Sequence, residues 1–137
     1  MREEILSRVQ PDKLLHVVFR RADITEARTD ICDPAEGLQV ACFRLPAGKT
    51  LRAHEHIPRP RTIERTQETW IVVSGRVRAT YYDIDGLELD KATLGAGDCS
   101  ITFEGGHNYL ALEDGTEVVE CKTGPFVGVE QDKRFLA

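Results

Sequence analysis

Apolar and polar positions alternate with period two over short stretches along most of this chain, the period that a half-covered β-strand imposes on its side chains. Apolar or alternating runs occur at Leu14–Phe19, Leu38–Leu45, Thr50–Ile57, Glu68–Ser74, Arg76–Asp83, Leu87–Leu94, Cys99–Phe103, His107–Leu112 and Thr116–Lys122. They are punctuated by turn chemistry: Pro46-Ala-Gly48, Ser74-Gly75, Asp85-Gly86, Gly95-Ala-Gly97, Gly105-Gly106 and Asp114-Gly115. An Asp-Gly pair between alternating runs favours a hairpin, because both turn positions want positive φ. About eight or nine short strands with a turn every 8–12 residues or so predict an all-β domain, an antiparallel sandwich or barrel. Residues 2–9 leave room for a short N-terminal helix, closed early by Pro11. Between Ile57 and Gln67, Pro58 and Pro60 exclude a central strand and predict a loop of about ten residues.

Composition narrows the class. At 137 residues the chain predicts a single domain, 1–137, large enough to bury a core. Its formal net charge of −5 argues against generic nucleic-acid binding, which uses a basic surface. No apolar run approaches the length of a membrane span, and the N-terminal MREEILSRVQ has no secretory h-region, so the expectation is a cytoplasmic domain without membrane or nucleic-acid partners. The four cysteines, Cys32, Cys42, Cys99 and Cys121, form no C-x-x-C pair. Cys42 and Cys121 stand in apolar runs, where a free thiol packs as a small hydrophobe. The loop after Ile57 carries Arg59, Arg61 and Arg65 against Glu64, a local net of +2.

Candidate chemistry begins with His54 and His56, two apart in Thr50–Ile57. Period two places them with Thr50 and Arg52 on one face, and Leu51, Ala53 and Ile57 on the other. That polar face is either solvated or a site; two imidazoles at this spacing suit zinc, copper, iron or nickel. Glu68 shares its strand face with Trp70, Val72 and Ser74, an expensive place for a carboxylate unless it is paired or metal-bound. His107 shares its face with Tyr109 and Ala111.

Taken together, Gly48, His54-x-His56, and Glu68 with six residues before Gly75 resemble the first motif of the cupin superfamily, G(x)5HxH(x)nE(x)6G. Gly97 followed by His107 resembles its second motif. The eleven residues between His56 and Glu68 exceed the usual three or four; Phe103 and Ala111 stand where proline and asparagine are usual. The resemblance covers about residues 38–122. Looser likeness in Glu120–Phe126 and Asp132-Lys133 connects the chain to cupins encoded beside bacterial surface-polysaccharide genes.

The resemblance implies a double-stranded β-helix, or jelly-roll barrel, in which His54, His56, Glu68 and His107 hold one divalent metal ion: iron, manganese, zinc or nickel. It implies a metalloenzyme of isomerase, epimerase or oxygenase type acting on a small anionic or sugar-like molecule, the alternative being a non-catalytic binding module. Arg52 and Tyr109 are the candidate catalytic residues, and Arg59, Arg61, Arg65 and Trp70 the candidate substrate contacts. Each also has a plainer role: surface ion pairing for the arginines, core or barrel-lining packing for the aromatics. Apolar Leu51, Ala53, Ile57, Leu110 and Leu112 point away from the histidine faces, which predicts a homodimer.

Overall fold

The structure is a computed structural model that describes residues 1–136. Ten strands run in chain order: β1 Glu3–Leu6, β2 Leu14–Phe19, β3 Arg28–Asp30, β4 Ala41–Phe43, β5 Glu68–Ser74, β6 Val77–Tyr82, β7 Glu88–Leu94, β8 Cys99–Thr102, β9 Gly106–Ala111 and β10 Glu117–Lys122. A 3-10 turn at Arg21–Asp23 and a short helix, α1 (Val129–Asp132), complete the list. All pairings are antiparallel, in three sheets: β1-β2-β8-β5-β10, β7-β6-β9 and the ribbon β3-β4. The fold is β-rich, and the sheets do not close into a barrel. Among the described residues no helix is long and apolar enough to cross a membrane.

The five-stranded sheet is covered on both faces over its middle, so β2 and β8 are buried almost from end to end. On one face Val17, Phe19, Ile101 and Phe103 join Ile31, Cys32 and Cys99 beneath the β3-β4 ribbon. On the other, Val18 and Val72 meet Val77, Ala79, Tyr81 and Leu94 of the three-stranded sheet, with Ile5 closing one side. This double cover explains why β2 reads Leu-Leu-His-Val-Val-Phe, a nearly continuous apolar run rather than an alternating one.

Three sequence expectations are corrected. The N-terminal residues form strand β1, not a helix: Glu3 to Leu6 gain a partner in β2, and that pairing overrides the helix preference of Glu3, Glu4 and Leu6. The run Thr50–Ile57 is not a strand, and only Ala41–Phe43 of Leu38–Leu45 is one. Alternation supplied faces to the 50–57 segment, but no neighbouring backbone supplies its hydrogen bonds. Residues 44–66 instead form one long exposed excursion, so the irregular stretch is far longer than the loop expected after Ile57. Finally, Cys121 is exposed, on the open edge of the five-stranded sheet rather than within a core.

Candidate functional site

The pleat of the five-stranded sheet sorts chemistry from packing. Residues of one parity build the apolar layer under the ribbon; those of the other parity face the three-stranded sheet. At one end of this second face the register aligns His16 on β2, Thr102 on β8, Glu68 on β5 and Lys122 on β10 in one row across four strands. The next row is Val18, Ser100, Trp70 and Glu120. Across the gap, β9 pairs His107 with Tyr81 and Tyr109 with Ala79. Two sheets therefore aim polar side chains into one end of a shared interior, the end where β5 and β9 begin.

Glu68 and His107 meet there. Nε2 of His107 lies 3.3 Å from Oε1 of Glu68. Glu68 is buried, and Nδ1 of His107 is a buried atom without a hydrogen-bond partner among the described residues. Burial pushes the Glu68 carboxyl up, but His107, Lys122 and Lys133 outweigh it and hold the carboxyl below its usual range. It is therefore an anion near neutral pH, as a metal ligand or a proton acceptor must be.

The neighbouring groups are held firmly. Tyr109 stacks on Trp70 with ring centroids 4.0 Å apart and planes 15° from parallel, and its ring centre is 5.0 Å from that of His107. Its hydroxyl donates to Ser100 Oγ at 3.1 Å, while Tyr81 bonds the same oxygen at 2.7 Å. Burial raises the pKa of both phenols, Tyr81 to about 12, so both stay protonated. The Trp70 indole donates to Glu120 at 3.0 Å. Trp70 and Tyr109 thus form an aromatic wall beside the Glu68–His107 pair.

His16 is a member of this interior that the residue pattern did not single out. It is wholly buried, and burial lowers its pKa to about 4. Its Nε2 is 3.1 Å from the Tyr82 carbonyl, which can only accept, so that nitrogen carries the hydrogen. The neutral ring then leaves Nδ1 to accept from the Thr102 hydroxyl, 3.0 Å away. The available signal was a lone polar residue in an otherwise apolar strand with the inward parity of Val18. Gly105 completes this corner at φ +85°: a Cβ there would strike the Tyr82 carbonyl oxygen that fixes the His16 proton.

The other expected residues lie elsewhere. His54 and His56 sit together on the exposed excursion, ring centroids 5.5 Å apart, with His54 Nδ1 donating to the Arg52 carbonyl at 2.8 Å. Arg52 and Arg59 are exposed on the same segment. Arg61 and Arg65 border an open cleft of about 750 Å3, along with Thr66, Glu104, Thr123 and Asp132. Arg65 pairs with Glu104, which also holds Lys13 at 2.5 Å, so it already has a carboxylate partner. Among the described residues no three His, Cys, Asp or Glu side chains converge as a metal site. The structure brings together Glu68, His107, Tyr109 and Trp70, and leaves the two other histidines apart from them.

No family model, curated protein or solved structure matches this chain.

Proposed function

We propose that this chain is a cupin of jelly-roll type that binds one divalent metal ion and acts on a small anionic or sugar-derived molecule. The observation that carries this reading is the meeting of Glu68 and His107. Each was singled out by a separate motif, they stand on different sheets, and their side chains face each other at 3.3 Å in a semi-enclosed interior. Glycines at motif positions 48, 75 and 97 all adopt positive φ, which supports the same reading. An anionic carboxylate beside an imidazole nitrogen, with the other imidazole nitrogen unpartnered, is a donor set that suits iron, manganese, zinc or nickel.

In this proposal Glu68 and His107 hold the ion from the body of the domain, and His54 and His56 supply two further nitrogens. A bound divalent ion would act as a Lewis acid on a carbonyl or hydroxyl oxygen. Tyr109, protonated and oriented by Ser100, presents its ring toward the same interior, and Trp70 offers a flat apolar face of the kind that stacks on sugar rings. In this proposal Arg52, Arg59 and Arg61 travel with the two histidines and bring positive charge toward an anionic substrate, while Arg65 stays paired with Glu104.

Elemental analysis of the purified protein tests the assignment. The expected result is close to one divalent ion per chain, falling at least tenfold in Glu68→Gln with His107→Gln. Undiminished metal in that double variant, or none in the parent protein, removes the proposal.

A further inference from the structure

The two histidines missing from the interior lie on a segment that has no partner. Every residue from Arg44 to Thr66 is exposed, and among the described residues no backbone-to-backbone hydrogen bond involves positions 50–66. The segment is fastened at both ends, by the Arg44 N–H to the Ala27 carbonyl at 3.4 Å at its start and by Arg65 to Glu104 and Thr66 to Asp132 at 2.7 Å at its close. From these two anchors the nine to twelve residues leading to His54 and His56 reach about 30–40 Å, against a domain roughly 35–40 Å across. The arm is long enough to leave its own body.

Both the arm and the body are unfinished. Leu51 and Ile57 are 57% and 85% exposed. On the body, β9 is the last strand of its sheet, and its outer edge carries unpaired backbone groups. The two have matching faces. His54 and His56 alternate with Leu51, Ala53 and Ile57 along the arm; on β9, His107 and Tyr109 face inward while Leu110, 53% exposed, faces out. A strand laid beside β9 with its histidines inward puts them next to His107 and sets its aliphatic side chains beside Leu110. The charges match as well. Residues 44–66 hold six basic and two acidic side chains, net +4, which leaves −9 on the rest of the chain.

Resting on the metal-site reading above, we propose that the arm serves a second copy of this chain. Two protomers exchange arms about a two-fold axis, and residues 50–57 of each add to the β9 edge of the other. Each metal site is then composite: Glu68 and His107 from one protomer, His54 and His56 from its partner. The exchange closes on itself, so it stops at a dimer.

Complementation tests this. One chain carries His54→Ala and His56→Ala, the other Glu68→Gln and His107→Gln; they are co-produced with different tags and the mixed dimer is isolated. Neither variant alone should hold more than a tenth of the parent's metal. The mixed dimer should hold one ion per two chains, half the parent's occupancy, because one of its two sites is wholly native. Mixed dimers as empty as the single variants, or a parent protein that sediments as a monomer at tens of micromolar, would overturn the exchange while leaving the metal site standing.

A second measurement works without metal. In a Cys121→Ser background, a chain with His54→Cys is mixed with one carrying His107→Cys and treated with a short thiol-to-thiol cross-linker. Covalent dimers containing both chains are expected, and cross-linked dimers no more abundant than in mixtures lacking either cysteine would overturn the exchange. If the parent holds no metal yet these dimers form, the exchange survives and the metal reading fails.

Discussion

The two faces of the five-stranded sheet are built from the same strands, one residue out of phase, and they do opposite things. On the ribbon side β2 and β8 present Val17, Phe19, Cys99 and Ile101, with Phe103 just beyond, an apolar layer whose one buried polar neighbour from β5 is Thr69. On the other side the same strands present His16, Ser100 and Thr102, which join Glu68 and Tyr109 in a hydrogen-bonded interior. One face supplies cohesion through removal of carbon from water; the other holds polar groups in fixed positions at the expense of cohesion. Substitutions on the two faces should therefore separate into those that change stability and those that change chemistry.

The largest effect belongs to the apolar face. Phe103→Ala should lower unfolding free energy by about 4 kcal/mol, measured by urea titration, while leaving metal content per folded chain unchanged. A cost below about 1 kcal/mol would mean that the ribbon-side layer is not the principal core. Next comes the pH dependence that His16 introduces. Its folded pKa of about 4 lies below the ordinary 6.5, so the unfolded chain takes up a proton first. Stability is full above about pH 6.5 and declines as pH falls toward 4, by about 3 kcal/mol in all and about 2 by pH 5. The difference in slope between the parent and His16→Gln over pH 7 to 5 isolates this contribution; identical slopes would show that His16 does not enter the folded state uncharged.

Smaller effects sharpen the contrast. Thr102→Val keeps the shape of the inner face and removes the donor to His16, which should cost about 1 kcal/mol. Its nitrogen-15 spectrum should also report altered His16 ring signals, and unchanged signals would reject the Thr102–His16 bond. Last is Arg65→Ala: it breaks a partly exposed ion pair with Glu104 and should cost only about 0.5 kcal/mol in the same urea titration. A loss of several kcal/mol would show that the base of the arm is part of the core.

Much of this was legible in the residues, within limits that have physical causes. Leu14–Phe19, Glu68–Ser74 and the strands from Val77 onward follow from apolar or alternating runs and glycine turns, because those signals are local. Strand β4 falls within the run Leu38–Leu45, but β3 was not legible, since Arg28–Asp30 is polar and meets β4 only across ten residues of irregular chain, Ile31–Val40. Thr50–Ile57 shows the converse: period two assigns faces to a segment but cannot say whether a neighbour exists to bond it. At the site, Glu68 and His107 were legible from glycine and histidine spacing, and their inward parity followed from the pleat. His16 was not, because one histidine without a spaced partner carries no motif, and its role depends on Thr102 and Tyr82, brought to it only by long-range pairing.

Two of the open strand edges, β10 and β9, differ in a way that bears on how the protein behaves in a tube. β10 carries Glu117, Glu120 and Lys122, charges that make accidental strand-on-strand growth costly. β9, Gly-His-Asn-Tyr-Leu-Ala, carries no Asp, Glu, Lys or Arg to interfere. Under the arm exchange proposed above, proteolysis within residues 50–57 would bare that edge, and concentrated solutions should then cloud sooner than those of the intact chain.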